Sequence, residues 1–426
     1  YSSDTTACAT KGPLTFGSLG HGAGSSRENN LPTENIYSTT VSSSEEVSGT
    51  RNFGKNEYGY LVGGEFGTEV CRIDYGNDTV TSIRSYLTVA GSYKATVSNT
   101  DYGYAAGGSP PSNSIVDRID FGNDTATAVA KGPLSSTRSQ FAGVGNQDYG
   151  YLGGGTSTIT TVERIDYSND TADVLERGSL TLGSRCNSAV GNPHYGYWGA
   201  SKKSGVVSSI VDRVDYSNDT ATATPKGPLS TVRYEANATG NANYGYFTGG
   251  GDPITSVVDR IDYSNDSTTA SPKGSLTDVT IRTGATGNTS YGYAAGGPSR
   301  SIVQRIDYSS DTTTASPKGP LTDGAIRAGT TGNASYGYVG GGAPPSGGPK
   351  SKVDRIDYSN DTATALTIAN LTETADAISG FSSKEDGLPQ YNLTISTPFA
   401  FGENYTTPYP YGYYGGGNNY STLVDR

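Results

Sequence analysis

Asp148-Tyr-Gly-Tyr-Leu-Gly-Gly-Gly155, with Val162-Glu-Arg-Ile-Asp-Tyr-Ser-Asn-Asp-Thr171 shortly after it, decides the fold, because nearly all of the chain is a variation on it. Tyr-Gly-Tyr starts again at Tyr58, Tyr102, Tyr195, Tyr244, Tyr291, Tyr336 and Tyr411. From Tyr58 to Tyr336 the spacings are 44, 47, 46, 49, 47 and 45 residues. A third element, Lys-Gly-Pro/Ser-Leu or a relative, stands at Lys11, Lys131, Arg177, Lys226, Lys273 and Lys318. Self-similarity at that period marks a repeat architecture.

One repeat reads as four strands. Ser139–Val144 is a small-residue strand, and Gly145–Asp148 is a turn by composition. Tyr149–Leu152 is the second strand, ended by glycine. Thr161–Tyr167 is the third, and Ser168-Asn-Asp170 suits a hairpin turn because Asn and Asp tolerate positive φ. Thr171–Leu175 then reads as the fourth. Four short antiparallel strands per repeat of this length are the signature of a β-propeller blade. The first strands, such as Asn187-Ser-Ala-Val190 and Thr283-Gly-Ala-Thr286, are uniformly small. That suits strands converging on an axis.

In the third strand, residues i, i+2 and i+4 share a face. Blades stack face to face, so its arginine is covered and needs an anion. The aspartate two residues on, or one in the next blade, is the natural partner. The recurring pairs are Arg72 and Asp74, Arg118 and Asp120, Arg164 and Asp166, Arg213 and Asp215, Arg260 and Asp262, Arg305 and Asp307, and Arg355 and Asp357. They read as a structural ring of ion pairs, not as catalytic acids.

The chain stops at Leu423-Val-Asp-Arg426, half of a third strand. It begins at Tyr1-Ser-Ser-Asp-Thr-Thr-Ala7, which matches the residues after Ile-Asp in the other repeats. The expectation is therefore an all-β fold over residues 1–426, a single domain. It is an eight-bladed β-propeller whose ring is closed by N- and C-terminal halves of one blade. Closure of that kind leaves no edge strand exposed. Two intervals exceed the period, and the excess at about 17–50 and 366–405 reads as insertions between blades. Insertions on a repeat scaffold are natural places for function.

Composition agrees with an all-β chain: 59 Gly, 32 Tyr, no Met and 33% hydrophobic residues. The net charge is −11 with dispersed Lys and Arg, which argues against nucleic-acid binding. No run of about 18 apolar residues offers a membrane span. Cys8, Cys71 and Cys186 match no metal spacing, and the glycine runs precede no helix that would cradle phosphate. His21 and His194 lie in different contexts, and no hydrolase, zincin, P-loop or EF-hand pattern is present. The expectation is no cofactor and no enzymatic activity.

The order of small strand, Tyr-x-hydrophobic-Gly-Gly, then Val-x-x-hydrophobic-Asp-Tyr resembles the kelch repeat across essentially the whole chain. Ala or Thr, as in Asp124-Thr-Ala-Thr127, stands where that repeat usually has Trp. The phrasing Ile-Asp-Tyr-Ser-Asn-Asp-Thr-Ala-Thr-Ala, Lys-Gly-Pro-Leu-Ser and Tyr-Gly-Tyr-x-Gly-Gly-Gly also resembles repeat-bearing virion proteins of marine and cyanobacterial tailed phages. That resemblance implies a virion surface or tail-fibre component that meets the host envelope. The expected function is a structural and adhesive subunit of a virion appendage or extracellular fibre. Its partners would be its own kind, other virion subunits or a host-surface glycan. A secreted lectin, or a carbohydrate-active enzyme on the same fold, is the alternative.

Trp198 is the non-repeated aromatic at a loop-facing strand end, beside Lys202 and Lys203, and these three are the first choice for ligand contacts. Asn-x-Ser/Thr in the hairpin turns is explained by the turns. Asn370, Asn392, Asn404 and Asn419 are the better glycosylation candidates.

Overall fold

The computed structural model describes residues 58–382, except 65–66, 100, 147, 157–158, 172, 184, 186–187, 298–299 and 344–347, together with 414–417 and 421–425. The described residues form seven four-stranded antiparallel sheets, the blades of a β-propeller. Blade 3 is typical, with strands Ala142–Gly145, Tyr149–Gly153, Thr161–Asp166 and Leu175–Ser179 from the axis outward. The innermost strands of blades 2 to 7 are Ala95–Ser98, Ala142–Gly145, Ser188–Gly191, Asn237–Gly240, Gly284–Gly287 and Gly329–Gly332. Every residue in them is buried, which only small side chains permit where strands converge.

Blade 1 closes the ring. Tyr58–Val62, Glu69–Asp74 and Thr79–Tyr86 supply its outer strands, and Ser379–Ser382, over three hundred residues later, supplies the innermost. Tyr60 pairs with Phe381 and Val62 with Ser379. On one side Thr331 donates to the Phe381 carbonyl at 2.9 Å. On the other, Thr96 and Ser98 donate to the carbonyls of Gly380 and Ser382, both at 3.0 Å.

The ring therefore has seven blades, not eight. One blade is shared between distant parts of the described chain, with Ser379–Ser382 completing blade 1. The closure expected between Leu423–Arg426 and Tyr1–Ala7 falls outside the described residues. The segment 366–405, read as an insertion, begins with two ring strands: Leu366–Ala375 is the outermost strand of blade 7, and Ser379–Ser382 comes next. Its remainder, Tyr1–Ala7 and the insertion 17–50 lie outside the described residues. Tyr414–Gly417 and Ser421–Asp425 form a hairpin in a second compact unit of the chain. Its pairing of Tyr414 with Asp425 repeats that of Ala105 with Asp117, so it is built like the second and third strands of a blade.

A single device joins each blade to the next. The arginine of the third strand reaches the aspartate in the next blade's hairpin turn. These pairs are Arg72–Asp124, Arg118–Asp170, Arg164–Asp219, Arg213–Asp266, Arg260–Asp311 and Arg305–Asp361, at 2.7–3.1 Å, with Arg355–Asp78 closing the circuit. The same aspartate accepts the hydroxyl of the second tyrosine of Tyr-Gly-Tyr, from Tyr60, Tyr104, Tyr151, Tyr197, Tyr246, Tyr293 and Tyr338, at 2.8–2.9 Å. The first tyrosine lies under the guanidinium, 4.1–4.5 Å from ring centre to Cζ in all seven blades. The second also stacks on an aromatic ring of the next blade, as Tyr151 does on Tyr216 at 4.5 Å.

The aspartates two residues after the arginines are not their partners. Asp74, Asp120, Asp166, Asp215, Asp262, Asp307 and Asp357 each accept the backbone N–H two residues on, at 2.8–3.0 Å, and so shape the turn. The strand directs their carboxylates into the turn, where unpaired N–H groups compete for them. The outermost strand is also displaced from its expected place. It is not Thr171–Leu175 but Leu175–Ser179, with Val129–Lys131, Thr224–Lys226 and Ser316–Lys318 as its counterparts. Burying the turn aspartate diverts the chain, and pairing resumes only at the Lys-Gly element. There Gly227 donates to the Asp266 carbonyl of the next blade at 2.9 Å. A Cβ on Gly227 would lie 1.3 Å from the Thr268 carbonyl oxygen, so glycine is required.

Phe381 is 2% exposed and stacks on Tyr60 at 5.5 Å, so Phe381→Ala is expected to cost about 3–5 kcal/mol in chemical denaturation. An unchanged midpoint would remove Ser379–Ser382 from the ring. Burial, reinforced in six cases by the aspartate carboxylate, also holds the seven clamp tyrosines well above the usual tyrosine range near 10. Their folded pKa exceeds the unfolded one, so this stability is complete below about pH 10 and is lost as pH rises beyond it. In an ultraviolet titration these tyrosines should ionise only as the ring unfolds. A single wave near pH 10 with the fold intact is the opposing result.

Candidate functional site

The clamps and hairpin turns occupy one face of the ring. The other face carries the loops that come after the glycine runs and those that lead into each innermost strand. The two loop types are tied together across blade boundaries. Gly108 donates to the Arg138 carbonyl at 2.9 Å and Gly250 to that of Thr280 at 2.8 Å. A Cβ on Gly107, at φ 63°, would sit 2.4 Å from the Arg138 carbonyl oxygen.

Beneath these loops, in blades 2 to 7, the residue before the third-strand arginine anchors the incoming chain. Asp212 accepts Thr181 through both N–H and hydroxyl at 2.9 and 2.7 Å, and Asp354 holds Thr322 in the same way at 2.7 and 2.8 Å. Gln304 plays this part for Thr277 and Asp278. Burial pushes the Asp117 and Asp212 carboxyls up. Two blades add wholly buried ion pairs, Arg138–Glu163 and Arg233–Asp259. All these groups are enclosed and serve the scaffold.

In the six blades where it is described, the residue two places before the innermost strand is different. Tyr93, Gln140, Glu235, Arg282, Arg327 and Ala377 occupy that place, and φ is positive at every one, between 51° and 57°. Consecutive members are joined through the backbone: Tyr93 N–H to Ala377 C=O at 3.2 Å, Gln140 to Tyr93 at 3.2 Å, Arg282 to Glu235 at 3.2 Å and Arg327 to Arg282 at 2.9 Å. These positions form an inner ring at one mouth of the axis, its peptide groups linked in the runs Ala377–Tyr93–Gln140 and Glu235–Arg282–Arg327. Left-handed backbone costs a non-glycine residue about 1 kcal/mol or more at each position.

The side chains of this ring form one polar cluster. Arg282 Nε donates to Glu235 Oε2 at 2.7 Å. Burial opposes the charge on Arg282, but the Glu235 carboxylate outweighs it and raises the guanidinium's pKa. Arg327 Nη2 meets Asp376 at 3.0 Å, and Nη1 donates to the Tyr93 hydroxyl across the small Ala377. Both guanidiniums keep partial contact with solvent. Farther out, Lys202 pairs with Asp252 at 3.0 Å and lies 4.4 Å from the centre of the Tyr234 ring.

The ring scaffold has solved counterparts. The structure of YjhT aligns with 67% of this chain and 100% of its own at a TM-score of 0.53. Identity is 11%, and the likeness shows the fold alone. No family model and no curated protein matches the chain.

Trp198, expected as an exposed contact, is 2% exposed. Its indole N–H donates to the Ala142 carbonyl of the preceding blade at 3.1 Å, and the ring lies over Gly153, whose missing side chain makes the room. Lys202 and Lys203 do reach the loop face, on a small hairpin with Val206–Val207. His194 lies on the opposite face, edge-on to Tyr195. Cys71 is buried, with its thiol pushed up to about 12 by desolvation. Asn370 is exposed on the outermost strand of blade 7, while Asn392, Asn404, Asn419, His21, Cys8 and Cys186 lie outside the described residues. Among the described residues no three His, Cys, Asp or Glu side chains converge as metal ligands.

The repeats themselves promised no charged cluster at a channel mouth. Glu235, Arg282, Arg327 and Asp376 form one because this position does not repeat. Its signal in the sequence is variation: Tyr, Gln, Glu, Arg and Arg stand before strands that are otherwise interchangeable. Trp198→Ala is expected to act as a core truncation, costing about 3–5 kcal/mol by denaturant unfolding. A stable variant with altered ligand binding would return Trp198 to the contact surface.

Proposed function

We propose that this protein is an adhesive, non-catalytic subunit of a virion appendage or extracellular fibre, built from kelch-like blades, that meets a glycan or a neighbouring subunit through its loop face. The observation that carries this reading is the division between the faces. The clamp face repeats the same residues seven times, while the loop face concentrates what does not repeat. The loops of blades 4 to 6 expose Val206, Ile210, Val232, Ile254 and Val279, side chains that the core does not use. Scattered exposed apolar residues are ordinary, but a concentration on one arc of one face suits a contact surface. Each carboxylate at the axial mouth is paired with a guanidinium, which suits binding better than general acid–base chemistry.

The virion or fibre setting is supported by the wording of the repeats. Electron microscopy of native material, with mass spectrometry of the same particles, tests it. The chain is expected on virions or in ordered fibres. Recovery solely as free single rings would replace this reading with that of a secreted lectin.

A further inference from the structure

We propose that the axial mouth is a binding site for the terminal sugar of a neutral glycan, with Tyr93, Gln140, Glu235, Arg282 and Arg327 as its contacts. This rests on the glycan-contact reading above and names the place and the ligand class.

Residue choice is the first support. Where a loop on this face turns left-handed after a second strand, six blades use glycine: Gly63, Gly107, Gly154, Gly249, Gly296 and Gly341. The fourth blade uses the small Ala200. At the inner ring the backbone demand is the same, yet among the described residues glycine is never used. The ring's own N–H to carbonyl bonds need no side chain. Large polar side chains retained against strain point to a use for the side chains.

The chemistry of the cluster selects the ligand. Two guanidiniums and two carboxylates cancel, so no net field favours a carboxylate, a phosphate or a cation. The mouth brings together donors from Arg282 and Arg327 and acceptors from Glu235 and Asp376, the mixture that vicinal hydroxyls require. Gln140 Oε1 is buried and meets no hydrogen-bond donor among the described residues. A buried acceptor without a donor needs an explanation, and a ligand hydroxyl supplies one.

Arg327→Gly and Glu235→Gly remove contacts while relieving backbone strain. On an array of glycans ending in neutral hexoses, with carboxylate-bearing counterparts alongside, the parent should bind neutral termini. Both variants should bind at least tenfold more weakly, with Tm unchanged or raised. Undiminished binding by the variants would overturn the site while leaving the adhesive reading intact. Preference for carboxylate-bearing termini would overturn the ligand class. A Tm that falls in step with binding would make these side chains structural. A parent that binds no glycan overturns this inference, and microscopy of native particles then judges the adhesive reading separately.

Discussion

The structure depends on a buried aspartate. In six of the seven clamps the turn aspartate is nearly enclosed, its side chain 4–8% exposed, and it leaves water because the preceding blade supplies an arginine, a tyrosine hydroxyl and a second cation from Arg84, Lys131, Arg177, Lys226, Lys273 or Lys318. Taken singly, such a partly exposed ion pair is worth about 1 kcal/mol or less. Its effect on register is larger. A blade docked one residue out of place would bury that carboxylate without a cation, which costs several kcal/mol. The clamp works chiefly against wrong arrangements. Seven copies leave the ring one way to assemble.

Around that constraint, small residues allow close approach. The glycine between the two tyrosines lies against a tyrosine of its own blade: a Cβ on Gly245 would sit 2.7 Å from the Tyr263 hydroxyl. The glycine of Lys-Gly-Pro/Ser lets the outermost strand lie on the next blade's backbone. Aromatic stacks fill the rest. The repeated arginines, the second tyrosines and the Lys-Gly elements therefore belong to interfaces between blades.

Much of this is legible from the chain. Strand order, small inner strands, the covered arginine and its demand for an anion come from period and alternation. The arginine's partner stays open between two aspartates, because spacing cannot say which carboxylate bends back into its own turn. Trp198 misleads for a related reason. A lone aromatic in a glycine run looks exposed until Gly153 of the neighbouring blade is found beneath it. The axial cluster is invisible because comparison of repeats within the chain rewards what recurs, and these residues do not.

The sequence by itself determined the blade: local pairing, period-two burial and turn chemistry act within one repeat, over distances that the chain's own spacing measures. Only the tertiary structure decided the number of blades and the strand that closes them. The count depends on the angle at which one blade packs on the next, summed around a circle. Ser379–Ser382 closes the ring because it fits between Ala95–Ser98 and Gly329–Gly332 once that angle is set. The same closure gathers Tyr93, Glu235, Arg282 and Arg327, far apart in the chain, around one axis.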